Sequence, residues 1–315
     1  MQSNTNTQPK SRVHFSHTFI TPLLICAVML LILVIDTVSF DKIEGGMTEA
    51  YLSLVALQLF VFMLPSIFYI RYRSLDARDS LRIRIPSPDK LMFILLCSAL
   101  LIILSILMTA IGGEGGVSIY ANRYISDARF DYDTALYYAV CFALVPALSE
   151  ELLFRGIVMC EYQRTSVFSA VLISSLYFAL SHFNLAMLPF FFISGLVLSM
   201  CAYATGSIIA SFFVHLIYNL FAIFGGEIVD RVLRSLGQIT IVIIVLGAVL
   251  LLLLSLVFGE CERIYRSYSR KNRECHYVHN YKKGTGGVRF ALALLSPTSL
   301  ILIVMYAIVV LLGGS

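Results

Sequence analysis

Nine apolar runs, at 18–34, 49–70, 90–111, 134–161, 166–183, 187–204, 207–225, 238–258 and 288–312, alternate with shorter polar stretches along the 315 residues of the chain. As an α-helix, a run of about 20 residues crosses the ~30 Å hydrocarbon core of a bilayer. A helix also satisfies its own backbone donors and acceptors, which hydrocarbon requires of any segment it surrounds. A transmembrane β-barrel would instead show alternating segments of about ten residues, and none are present. The pattern predicts an all-α fold, a polytopic transmembrane helical bundle of about nine spans (eight to nine).

Composition points the same way: 59% of residues are hydrophobic, 13% are charged and the mean hydropathy is +0.86, outside the range of soluble domains. No small-residue cleavage site follows the first run, so it reads as an uncleaved span behind a polar cytoplasmic tail at 1–17. Residues 18–133 then hold the N-terminal spans and loops, 134–225 a core of four runs, and 226–315 the last spans with a basic cytoplasmic loop at 259–289. The connection from Gly112 to Asp133 is expected to hold a short interfacial helix. The seven cysteines follow no disulfide framework.

Charge sets the predicted orientation. With the N-terminus cytoplasmic and the C-terminus opposite, 18 of the 23 basic residues fall on the cytoplasmic side, as expected of cytoplasmic loops. The basic 259–289 loop would lie near the anionic leaflet. Net charge is only +4, and the partner expected from this pattern is the lipid bilayer, with no nucleic acid.

One stretch breaks the apolar pattern, Pro146-Ala147-Leu148-Ser149-Glu150-Glu151-Leu152-Leu153-Phe154-Arg155. An ionisable residue at the bilayer centre costs about 2.5–3.5 kcal/mol on insertion scales and normally faces a protein interior or a wet cavity. Glu151 and Arg155, four apart, share a helix face and neutralise each other. Glu150 points about 100° away and has no local partner. Two later runs carry histidines with companions at i,i+4: Phe178 with His182, and His215 with Asn219. Counted from the adjacent turns, Glu150, His182 and His215 lie at comparable depths, so they are expected to share a polar intramembrane cavity, opened by a kink at Pro146.

Taken singly, each of these residues has a plainer explanation. The two glutamates suit a buried ion-pair network, the histidines suit helix–helix hydrogen bonds, and Phe178 suits packing. Together, E-E-x-x-x-R, F-x-x-x-H and H-x-x-x-N on successive spans resemble the CPBP family of intramembrane proteases, which groups type II CAAX prenyl endopeptidases with bacteriocin-processing and immunity-like relatives. The resemblance covers about residues 134–225 and implies that Glu150 and His182 activate water while His215 and Asn219 hold the oxyanion.

The residues support the same assignment. Peptide hydrolysis needs a base for water, a proton for the leaving amine and donors for the oxyanion. Glu150 is the natural base, His182 can share the water, and His215 and Asn219 can donate. Glu151 and Arg155 complete the predicted site by fixing the helix face. If a metal takes part, Glu150, His182 and His215 make an acceptable zinc set. The H-E-x-x-H motif of other zinc peptidases is missing, and the reading favours no tightly bound metal. The alternatives weighed are a proton- or cation-coupled transporter using the buried carboxylates, a haem protein on His182 and His215, and a non-catalytic immunity or scaffold relative. A zinc site on Cys261, Cys275, His276 and His279 lacks a known spacing.

Overall fold

The computed structural model describes residues 16–36, 47–112, 132–270 and 286–312. Each of the nine apolar runs is helical there. They form α1 (Ser16–Asp36), α2 (Met47–Gln58, Leu59–Met63 and Leu64–Arg73 end to end), α3 (Leu91–Gly112) and α4 (Tyr132–Tyr138 through Met159–Gln163). α5 (Val167–Leu180), α6 (Leu188–Thr205), α7 (Ile208–Ser235), α8 (Ile239–Arg270), α9 (Gly286–Leu294) and α10 (Pro297–Leu312) follow. No strand occurs among the described residues. Most of the predicted tail, the interfacial helix expected between Gly112 and Asp133, and Cys275, His276 and His279 lie outside the described residues.

The chain is an integral, multi-pass membrane protein, and the described helices do not by themselves account for all nine expected crossings. Among the described residues, six helices are long and apolar enough to cross a membrane, or seven if the bent pair α9–α10 is one span. α5 has 14 residues, about 21 Å at the helical rise, which falls short of a hydrocarbon core. The run at 288–312 is broken by 63° between α9 and α10. Ser296 Oγ accepts the Ser299 N–H at 3.4 Å and Pro297 takes the first helical position, so the break is a capped helix start. The first part of the predicted 259–289 loop is helix, because α8 runs on to Arg270.

α4 is the centre of the bundle and it is irregular. Its α-helical parts are joined by π-helical stretches at Ala139–Leu144 and Leu152–Val158. The first ends where Val145 N–H bonds the Val140 carbonyl, immediately before Pro146. α2 repeats the arrangement, with a π-helical stretch at Leu59–Met63 just before Pro65. Proline lacks an N–H and its ring clashes with the carbonyl four residues back. A local shift to i→i+5 bonding accommodates the proline ring, and this π-helical stretch lies where the kink was expected.

Polar contacts tie α4 to its neighbours. Near one end, fully buried Glu161 takes Arg73 of α2 at 2.8 Å and Arg164 at 3.4 Å. Tyr69 Oη donates to Glu161 at 3.3 Å and pairs with Thr21 of α1 at 2.9 Å. Lys90 Nζ, ahead of α3, donates to the Thr205 carbonyl that ends α6 and meets Tyr268 Oη of α8, both at 2.6 Å. A cation on the last carbonyls of a helix also complements its dipole.

α5 and α6 form a close hairpin through small residues, as membrane helices favour. A Cβ on Gly195 would stand 2.8 Å from Ser175 Cα and 2.9 Å from Ser175 Cβ. Gly195→Ala is therefore expected to push the two helices apart and to destabilise the protein by about 1–3 kcal/mol, the usual range for overpacking. A melting curve in detergent indistinguishable from wild type would contradict this close packing.

Candidate active site

Glu151 is buried in α4, and its Oε1 takes two donors. Arg155 Nη1 donates at 2.7 Å and His215 Nδ1 of α7 at 3.0 Å. The pair with Arg155 is the one expected from the i,i+4 spacing. The bond from His215 is a second partner of Glu151 that the i,i+4 spacing does not show.

Arg155 is 1% exposed and joins three helices. Besides Glu151 it donates through Nη2 to the Gly195 carbonyl of α6 at 3.2 Å, and its guanidinium lies over the Phe178 ring of α5, 4.4 Å from the centroid. A planar cation with a fork of donors can make all three contacts together. Phe178 is thus more than filler. Its ring also meets the rings of Phe154, His182 and His215 edge-on, at 5.4, 4.8 and 5.8 Å between centroids.

Glu150 is half-buried, and its Oε2 is a buried atom with no hydrogen-bond partner. The ionisable groups that act on it are His215, Glu151 and Arg155. No hydrogen bond joins it to His182, His215 or Asn219 among the described residues.

His182 lies beyond the last helical residue of α5, Leu180, and not inside the helix as expected. Its Nδ1 meets the Phe178 carbonyl at 2.7 Å. A carbonyl only accepts, so Nδ1 carries the proton and Nε2 of the neutral ring keeps its lone pair. The same reasoning applies to His215, whose Nδ1 faces a carboxylate. Asn219 is half-buried one turn beyond His215 on the same side of α7.

Three residues near this site belong to none of the sequence motifs. Phe191 stacks on His182 with centroids 3.9 Å apart and planes 22° apart. Gly195 offers its carbonyl to Arg155. Gln58, at the start of the α2 π-helical stretch, donates to Ser149 Oγ at 3.4 Å. Only Gln58 and Gly195 stand out within their apolar runs, and neither has a partner that can be read from spacing.

The same geometry bears on the metal set Glu150, His182 and His215. Both histidines keep Nε2 available with Nδ1 held by a second partner, which is the usual preparation of a metal-ligating imidazole. Yet among the described residues no group of three or more His, Cys, Asp or Glu is gathered to hold a metal ion. Glu150, His182 and His215 as arranged do not make a zinc site, and no step of the mechanism runs through one.

Comparison with curated proteins and with solved structures yields no match. The model of one protein family does match, described as type II CAAX prenyl endopeptidase Rce1-like, over residues 132–221. That segment begins with α4, ends within α7 and contains every side chain of the predicted site. The Rce1-like match covers residues 132–221 of the 315 and supports assigning this segment to the CPBP family of intramembrane proteases.

Proposed function

We propose that the protein is an intramembrane endopeptidase that hydrolyses a peptide bond of a membrane-associated substrate, of which a prenylated CAAX peptide is the class the family description supports. The observation that carries this reading is the buried, unpartnered Oε2 of Glu150 beside a Glu151–Arg155–His215 cluster that is already paired. The paired cluster supplies rigidity, and the unpaired carboxylate is left to do chemistry.

In this mechanism Glu150 takes a proton from water as the water oxygen attacks the peptide carbonyl, with His182 Nε2 accepting from the same water. The carbonyl oxygen becomes an oxyanion, met by the Asn219 amide and by His215. Because Nδ1 of His215 is committed to Glu151, donation from Nε2 requires the imidazolium form, with Glu151 as its counter-ion. The proton held by Glu150 then passes to the leaving nitrogen as the carbon–nitrogen bond breaks. The polar cavity around these groups, the nine-segment topology and the cytoplasmic N-terminus belong to the same proposal.

The test is cleavage of an internally quenched, farnesylated CAAX peptide by protein reconstituted in vesicles. His182→Ala and His215→Ala are expected to slow cleavage by about 10²–10⁴-fold, the range for lost acid–base groups. Asn219→Ala should cost about 10²–10³-fold, as for one oxyanion donor. Folded variants that all keep the wild-type rate would remove the mechanism.

A further inference from the structure

The position of His182 raises a mechanical question. It lies in the turn between α5 and α6, past the end of the helical ladder, and the next residue, Phe183, has a left-handed φ of 48°. The backbone does not fix the direction of its ring. The bond from Nδ1 to the Phe178 carbonyl at 2.7 Å restrains one ring atom, and the torsion that turns an imidazole about its stem is intrinsically broad.

The remaining freedom is removed by an apolar residue. Phe191, in the first turn of α6, lies nearly parallel to the His182 ring at 3.9 Å and 22°. Phe191 is itself anchored. Its N–H donates to the Met187 carbonyl at 3.0 Å, and its ring meets Phe190, which is 1% exposed, at 5.8 Å and 66°. The Met187 N–H in turn donates to Asn184 Oδ1 at 2.9 Å. The stack is therefore built on the ordered start of a helix, while Phe178 closes on the imidazole from α5 at 4.8 Å and 63°.

We propose that Phe191 is a positioning residue of the hydrolytic site, holding the tilt of the His182 imidazole so that Nε2 points at the water shared with Glu150. The inference rests on the endopeptidase reading above. Phe191 touches neither water nor substrate in this role and acts only through His182. A flat aromatic ring is the required property, and a branched aliphatic side chain of similar bulk fills the space without a plane to stack on.

The experiment compares wild type, Phe191→Leu, Phe191→Tyr and Glu150→Ala on the vesicle assay with the farnesylated peptide. Phe191→Leu is expected to lower kcat about 10–100-fold, the scale of a misaimed catalytic group, with KM within about twofold of wild type. Phe191→Tyr, which keeps the ring, should restore most of kcat. In histidine-labelled protein the His182 ring resonances should carry the upfield shift of a stacked imidazole and lose it in Phe191→Leu. A His182 resonance without that shift in wild type overturns the inference, as does a Phe191→Leu enzyme with wild-type kcat, a loss confined to KM, or a Phe191→Tyr enzyme no better than Phe191→Leu. Wild type cleaving no faster than Glu150→Ala defeats the endopeptidase reading itself, and the inference with it. Glu150-dependent cleavage that Phe191→Leu leaves intact defeats the inference alone.

Discussion

Glu150→Gln is expected to abolish peptide cleavage while leaving the melting temperature of the protein unchanged or raised. The amide has nearly the shape of the carboxylate but cannot take a proton from water, so the loss should be about 10²–10⁴-fold in kcat, the contribution of a positioned general base. Stability should move the other way because Oε2 of Glu150 has no partner to lose. A buried carboxylate without a donor is a cost that function sustains and folding does not need. Glu151→Gln makes the informative contrast. Its Oε1 holds both Arg155 and His215, so neutralising it should weaken the fold as well as the activity. Rates and detergent melting curves for the two variants check both halves, and a Glu150→Gln protein that melts well below Glu151→Gln would contradict the division of labour.

Arg155→Met should produce the largest loss of stability of any single change at the site. Methionine suits the apolar surroundings, but its introduction leaves Glu151 buried with only His215 and the Gly195 carbonyl without its guanidinium donor. Breaking a buried ion pair from one side costs about 3–5 kcal/mol because the surviving charge is uncompensated. Arg155→Lys should recover only part of this, since an ammonium lacks the planar fork that reaches Glu151, Gly195 and the face of Phe178 together. Thermal unfolding of the purified proteins measures the loss directly. A near-wild-type melting curve for Arg155→Met would mean that Glu151 does not depend on it.

Much of this site was legible from spacing. Glu151 and Arg155 pair because i,i+4 neighbours on a helix meet, and the break from the apolar pattern at Glu150 was visible for the same reason. The bond from His215 to Glu151 was not legible, since it depends on how α7 turns against α4, and α4 is π-helical from Leu152 to Val158. The end of α5 was hidden because Phe183 prolongs the apolar run past the last helical residue. The cluster Ser181-His182-Phe183-Asn184 was the available sign of a turn. The Ser296-Pro297 pair likewise marked the break before α10. Phe191 offered no sign at all, since the middle residue of Phe190-Phe191-Phe192 is indistinguishable from lipid-facing filler until the partner of its ring is known.

The π-helical stretch before Pro146 has a consequence for the permitted length of the chain. A turn closed i→i+5 holds a residue more than a turn closed i→i+4, so Ala139–Leu144 acts as a one-residue insertion absorbed within a continuous helix. Deleting any one residue there would let the hydrogen-bond ladder run regularly up to the proline, yet it would rotate everything before it by about 100° about the axis. Tyr138, 2% exposed and clustered with Ile223 of α7, would leave its place, while Glu150 and Arg155 beyond the stretch would not move. The surplus residue thus sets the phase between the outer half of α4 and the half that bears the carboxylates, and the two halves accept substitutions in this stretch far more readily than a change in its residue count.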